Sequence, residues 1–427
     1  MNCRWNPKAS TKQDYYRKKG YPLQSFSMAC SKELRVPKEW SKYHHDLVNE
    51  AINPELFSEE ELVNLAIALG LSDNEVKPRK YFHSCRPYHM NRYVYVFIPD
   101  DLMSKRIFRW FAYLCLTIFM NDDLMEAFSE SEMRQVCSAF EMMDNEICEQ
   151  FPKFPTLVQM KQSLKHKKVN EKIIPNVLNL LEFTNSVGKV LIEEGNFLQE
   201  DVRNYWRRLV MVVGLYVEGA KSESIQGVTT TMDEYLWRRV MSGAIILWMY
   251  GHEVMSEMLG KLDGSQISFI HELYGLTAIF CLIVNDIYSH EKEKIMGNRV
   301  MNTVRDKYEN KECSDDFEAF EKSLRITNAI IKVMYRKIEN AKQGNPDSTE
   351  FHKLLDNIGK GTIGTFFFHD KCTRYNETKW RLTLVEVDEM ELEEWRKSKV
   401  VEEFDTVQHF LQDVSPKAKR MDEAIKR

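Results

Sequence analysis

Helix breakers are scarce in this chain, with 17 glycines and 12 prolines in 427 residues, against average usages of about 7% and 5%. Leu, Met, Glu and Lys are plentiful and cost little backbone or rotamer entropy in a helix, so long uninterrupted helices and an all-α fold are expected. No internal repeat is evident. The nine cysteines, at 3, 30, 85, 115, 137, 148, 281, 313 and 372, form no CxxC pair. Cys115 and Cys281 stand in apolar stretches as small core residues, and a reducing compartment is expected. Charge of one sign is missing too. A net charge of -5 with both signs mixed gives no hint of a nucleic-acid partner, and any anion-binding surface must be local. The longest clear apolar runs are about ten residues, short of the 18 or more of a membrane span. The start, Met1 to Pro7, is basic without an apolar signal core. A cytoplasmic location is expected, although no acid precedes Asp14 and organellar import stays open.

What is present is a pair of apolar helices that run into oxygen donors. Asn285, Ser289 and Glu293 follow one another at four-residue steps, so they share one face of a helix. The run Gly275 to Val284 before them is apolar almost all round, which predicts that this helix is buried and that its donors need a partner. Amide, hydroxyl and carboxylate oxygens together suit a hard cation such as magnesium, which fills the rest of its octahedron with water and substrate phosphate. Far upstream, Phe111 to Met120 runs into Asn121, Asp122, Asp123, Leu124, Met125 and Glu126. Asp122 and Glu126 share a face that Ile118, Cys115 and Phe111 continue. The two segments outline a cavity with an acidic rim and an apolar wall. If they face each other, several magnesium ions can bridge the rims to a polyphosphate whose apolar tail points inward.

Each string alone is weak, since a lone acidic pair is most often a solvated helix end. Asp315, Asp316, Phe317 and Glu318 follow no apolar helix and read as surface. The aromatics Phe111, Phe119, Trp248 and Phe280 belong to a core or to a pocket, and the pattern does not divide them.

As a set, these motifs resemble the class I terpene synthases of microbial type, including the similar soft-coral enzymes. Asp122, Asp123 and Glu126 match the DDxxE form of the aspartate-rich motif, and Asn285, Ser289 and Glu293 match the Asn/Ser/Glu triad with its Lys292-Glu293 ending. Gly297, Asn302 and Val304 fit the run that follows the triad. Glu234 to Arg239 looks like the segment with the diphosphate-sensing arginine, and Arg239 lies 46 residues before Asn285. Ser242 and Gly243 match the linker and effector of the family's helix break, where a glycine suits the turn. Arg374-Tyr375 resembles the pair that closes over the diphosphate. The resemblance spans roughly residues 80 to 376 by motif order.

The resemblance implies an α-helical bundle around a central active-site cavity and magnesium, three ions in the family pattern, held by Asp122, Asp123, Glu126, Asn285, Ser289 and Glu293. It implies that Arg239, Lys292, Arg374 and Tyr375 bind the diphosphate of a linear polyprenyl substrate, and that Ser242 and Gly243 act with Arg239 in triggering ionisation. Geranylgeranyl diphosphate is favoured on the soft-coral likeness, with farnesyl diphosphate open. Two other classes compete. A chain-elongating prenyltransferase normally carries a second DDxxD where this chain has Asn285 to Glu293, and an inactive isoprenoid-binding protein has no reason to keep the carboxylates with Arg239 and Arg374. The DxDD motif of class II cyclases is absent. Residues 1–76 read as an N-terminal extension packing on the bundle, with a capping box at Ser58 and Glu61. Lys77 to Lys80 read as a connector, residues 77–376 as the catalytic domain, and residues 377–427 as a C-terminal extension without an assigned role. A monomer and a homodimer are both compatible with the pattern.

Overall fold

The structure is a computed structural model that describes residues 30–42, 58–84, 106–125, 127–226, 239–296, 313–371 and 380–398. It is an α-helical bundle. Strand β1 (Cys30–Pro37) precedes helices α1 (Glu59–Leu69), α2 (Val76–Ser84), α3 (Arg106–Met125), α4 (Glu130–Gln150), α5 (Leu157–His166), α6 (Ile174–Glu194) and α7 (Gln199–Gln226). Short helices α8 (Ile245–Met249) and α9 (Gly251–Met255) lead to α10 (Gly264–Met296), α11 (Asp316–Gly344), α12 (Thr349–Lys371), strand β2 (Trp380–Val387) and α13 (Glu389–Lys397).

The helix starts follow local chemistry. Ser58, Ser129 and Thr156 each accept from the backbone N–H three residues on, while Glu61, Glu132 and Gln159 reach back to the cap residue's own N–H. Two otherwise unpaired donors are thereby satisfied at each start. Lys77 to Lys80, expected as a connector, lies inside α2. Pro78 is tolerated there because it stands in the first turn, where its missing N–H has no intrahelical partner.

Helix α10 sets the architecture. It packs against α12, α11 and α8, while α3, α6, α7 and α4 form the other half of the bundle, joined to it through α7 and α8. Residues Leu276, Ala278, Ile279, Phe280, Ile283 and Val284 are fully or almost fully buried, and Thr277 and Thr362 join α10 to α12 through their hydroxyls at 2.7 Å. Among the described residues, α10 alone is long and apolar enough to cross a membrane by length and composition. Counting uninterrupted apolar runs misses it because small polar residues are scattered through it. Most of that stretch is buried against neighbouring helices, so its apolar surface is consumed by packing. A bidentate pair between Arg208 on α7 and Glu253 on α9, at 2.6 and 3.3 Å, lies buried among Tyr205, Tyr250 and Tyr274. Cys137, Cys148, Cys281 and Cys313 are free thiols. Burial pushes Cys137 up to about 12 and Cys148 up to about 11, which leaves both as protonated packing groups.

One feature departs from the all-helix expectation. β1 and β2 pair in parallel, Cys30 opposite Trp380 through to Pro37 opposite Val387. An isolated two-stranded ribbon is marginal in water, and this one rests on α11. Asn328 accepts from the Arg35 N–H at 2.9 Å and donates to the Glu33 carbonyl at 3.1 Å. Trp380 stacks on Phe320 at 4.7 Å, and Arg35 grips Glu391 of α13. An eight-residue segment whose partner lies 350 positions downstream leaves no local trace of that pairing.

Just beyond β1, the Trp40 indole occupies the space over Gly359 of α12, where an added Cβ would lie 2.3 Å from the ring. Gly359→Ala is expected to lower unfolding stability by about 1–3 kcal/mol, because a rigid ring has to move. Gly344→Ala, with nothing within 4 Å of the new carbon, should leave it unchanged or slightly raised. Urea denaturation of both variants checks the contrast.

Candidate active site

The acidic end of α3 is held by tyrosines from two sides. Tyr216 of α7 donates to Asp122, whereas Asp123 is turned toward α2, where Tyr81 donates to it and Lys77 Nζ stands 3.9 Å away. The two aspartates therefore point differently, as adjacent positions on a helix must. Glu126 lies outside the described residues.

Helix α10 presents the second row of donors. Asn285 is half-buried and Ser289 is 4% exposed, and α10 continues through residues 292 and 293 as far as Met296. The donor face thus extends about 12 Å along one side of the helix. The side chains of Lys292 and Glu293 lie outside the described residues. Ser289 Oγ is buried and finds no hydrogen-bond partner among the described residues. An orphaned hydroxyl costs about 1–3 kcal/mol of desolvation unless something binds it. The hydroxyl suits a hard cation, since the neighbouring donors in the row are also oxygen-bearing groups.

Asn285 is oriented from α12. Its Nδ2 lies 3.0 Å from His369 Nε2, and His369 Nδ1 lies 2.6 Å from the Thr365 carbonyl oxygen. Between the two donor positions, Tyr288 sends its hydroxyl to Asp370 at 3.4 Å, and the backbone of Leu382 in β2 also hydrogen-bonds to it. Burial, and then the Asp370 carboxylate, hold the Tyr288 phenol well above its usual pKa, so the proton stays on it.

Arg239 stands next to this row. Its Nη2 donates to Asp286 Oδ1 at 3.0 Å in a buried pair. The helical segment 239–242 then breaks. Gly243 N–H still donates to the Arg239 carbonyl at 2.8 Å, but Ala244 takes φ +57° and α8 starts anew at Ile245. The left-handed residue is Ala244 rather than the expected glycine, at a cost of about 1–2 kcal/mol for a residue with a Cβ. Gly243 serves proximity instead: an added Cβ would lie 2.5 Å from a Leu282 methyl of α10. On the other side, a Cβ on Gly219 of α7 would lie 2.5 Å from Ser242 N and 2.7 Å from Met241 C.

These contacts join the two rims. Asp122 meets Tyr216, Gly219 one turn further along α7 meets the Met241–Ser242 backbone, and Arg239 meets Asp286 beside Asn285. Asp122, Arg239, Ser242, Gly243, Asn285 and Ser289 are thus placed around one helix junction. Glu234 to Arg238, Gly297, Asn302, Val304, Arg374 and Tyr375 lie outside the described residues.

The pattern of donors alone misses Asp286, Tyr216, Gly219 and His369. Only Asp286 carried a readable signal, because a charge inside a buried run demands an opposite charge. Asp316, expected on the surface, is half-buried, with Oδ2 lying 3.5 Å from His290 Nε2. Its neighbour Asp315 caps α11. Together with one oxygen of Glu291, these two ligand atoms lie within 4.8 Å of one another.

Residues 113–332 match the family model for terpene synthase family 2, C-terminal metal binding. The chain belongs to that family. Solved structures share the fold of this terpene synthase. A variant of the SVS_A2 protein from ancestral sequence reconstruction is 12% identical, with TM-score 0.53, covering 91% of this chain and 98% of the other. A cucumene synthase variant is 14% identical, with TM-score 0.51, covering 81% and 99%. An apo structure named for hedycaryol is 13% identical, with TM-score 0.51, covering 79% and 96%. No curated protein sequence matches the chain.

The two junction glycines differ in what blocks a methyl group. Gly243→Ala meets the movable end of Leu282, whereas Gly219→Ala meets backbone that cannot turn aside. Gly219→Ala is therefore expected to lower the melting temperature and turnover more than Gly243→Ala does. The net destabilisation is about 1–3 kcal/mol after the helix-propensity gain of alanine. Thermal melts and steady-state rates on the two variants check the order.

Proposed function

We propose that this terpene synthase ionises a linear polyprenyl diphosphate and cyclises the resulting carbocation to a terpene with release of diphosphate. The observation that carries the reading is Ser289 Oγ, an oxygen buried without a hydrogen-bond partner among the described residues, in the donor row between Asn285 and position 293. Asp122 and Glu126 on one rim, and Asn285, Ser289 and Glu293 on the other, would hold magnesium. Asp123, engaged by Tyr81, takes part from the α2 side. When bound, magnesium neutralises diphosphate charge and so makes it a leaving group.

The chain's own residues supply the rest. Arg239 reaches the site with its guanidinium already tethered to Asp286, so it meets the diphosphate without first ordering a long side chain. Lys292, Arg374 and Tyr375 add donors to the diphosphate oxygens where negative charge develops. Ser242 and Gly243 sit at the helix break, four residues or fewer from Arg239. A shift of Arg239 toward diphosphate is therefore passed to the backbone at the break, whose carbonyl dipoles can face a developing cation. Apolar residues of the bundle exclude water that would otherwise capture that cation. Geranylgeranyl diphosphate is the favoured substrate and farnesyl diphosphate the next.

Incubation with magnesium and, separately, geranyl, farnesyl and geranylgeranyl diphosphate should yield a cyclic hydrocarbon or alcohol by gas chromatography with mass detection. Product should vanish with chelator and return with magnesium. Asp122→Ala and Asn285→Ala should each reduce turnover by about 100–1,000-fold, the equivalent of about 2.7–4 kcal/mol of lost charge stabilisation, with helical circular dichroism retained. Retained product formation in either variant would overturn the metal assignment. A requirement for a five-carbon co-substrate would indicate elongation instead.

A further inference from the structure

We propose that His369 is a positioning residue that fixes which end of the Asn285 amide faces the metal, through the contact between its Nε2 and Asn285 Nδ2. This inference rests on the reading of Asn285 as a magnesium ligand. An asparagine offers a cation its oxygen but not its amide nitrogen, so a half-turn of the amide removes the ligand without moving the residue. Something must decide the orientation, and α12 holds the deciding group.

The ring's tautomer follows from its contacts. A carbonyl oxygen can only accept, so the 2.6 Å contact from His369 Nδ1 to Thr365 O places the ring proton on Nδ1. Nε2 of the neutral ring then carries a lone pair. The Asn285 nitrogen, 3.0 Å away, donates to that lone pair, and the amide oxygen is directed to the opposite side of the group. The reversed amide would set an oxygen lone pair against the Nε2 lone pair.

The ring itself is fixed. His369 is 2% exposed, Phe368 meets it edge-on at 5.2 Å, and Tyr288 lies at 6.1 Å on the α10 side. The Tyr288 hydroxyl is in turn held by Asp370 and by the Leu382 backbone. The ring therefore cannot swing away to accept either end of the amide. Histidines that ligate metals directly have their tautomer and orientation set in the same way, by the bond at the far nitrogen.

The test uses full-length protein and inorganic diphosphate as the probe, with magnesium affinity in its presence read by titration calorimetry. His369→Phe keeps an aromatic ring and removes the acceptor, and it should weaken magnesium binding about 10–100-fold. His369→Gln can accept the same bond through Oε1 and should recover most of that loss. The decisive comparison is in the Asn285→Asp background, where both ends of the side chain are oxygen and orientation no longer matters. There, His369→Phe should change magnesium affinity by no more than about twofold, because the two residues act through one contact and the effects of coupled residues do not add.

Equal losses in both backgrounds would reduce His369 to a packing role and overturn the proposal, as would no loss in either. Loss of helical circular dichroism in His369→Phe would move the same comparison to His369→Met, which keeps bulk without a strong acceptor. Asn285→Ala separates the two levels of the argument. If it leaves magnesium affinity intact, the underlying ligand assignment fails. If it loses affinity while His369→Phe does not, only the positioning role fails.

Discussion

A guanidinium and a carboxylate that have both left water hold each other in place more firmly than either is held by packing. The Arg239–Asp286 pair is of this kind, with the carboxylate wholly buried. Removing one member takes from the other the opposite charge it meets in the interior, at about 3–5 kcal/mol. This pair ties the segment before the helix break to the turn of α10 that also carries Asn285. The position of Arg239 relative to the donor row is therefore set by the fold before any ligand arrives. An anion that competes with Asp286 for the same guanidinium would disturb that tie, which places the arginine and the break within one mechanical unit.

Around this pair, α7 acts as a common support. Its Tyr216 holds Asp122, and its Gly219 lies against the Met241–Ser242 backbone. A glycine in a helix interior is unfavourable by about 0.5–1 kcal/mol relative to alanine, and here that loss permits close contact between a helix and a chain reversal. The αL conformation of Ala244 is strain of the sort that persists only when its surroundings over-determine it. Gly219 against Met241 and Ser242, and Leu282 against Gly243, confine the three residues that lead into it.

The long helices and the two donor-bearing ends were legible in the sequence because their periodicity is local: Asn285 and Ser289 meet on one face of α10 wherever that helix goes. The capping box at Ser58 was legible for the same reason. Asp286 was hidden in plain view, a charge inside an apolar run whose partner stands 47 residues upstream. Tyr216 and His369 left no trace, since one aromatic or imidazole in a buried helix looks like core until its polar atom is seen to reach a particular neighbour. Gly243 suits a helix break by its backbone freedom, yet the fold uses its lack of a side chain, and only tertiary contact distinguishes those two uses. Pro78 misled because its disfavoured backbone matters inside a helix and hardly at all in the first turn.

The terminal ribbon has a consequence for how the protein is made. A parallel pair of strands needs a connection long enough to return to the starting end, and here that connection is the entire bundle. During synthesis β1 emerges first and must wait until nearly the whole of the described chain has left the ribosome. Meanwhile Leu34 and Val36, both fully buried in the finished protein, have no partner strand to pack beside. Pairings of such sequence separation form slowly, and an unpaired strand edge is a template for unwanted association. Low yield or co-purifying chaperone on overexpression would thus trace to eight residues near the start of the chain rather than to the active site.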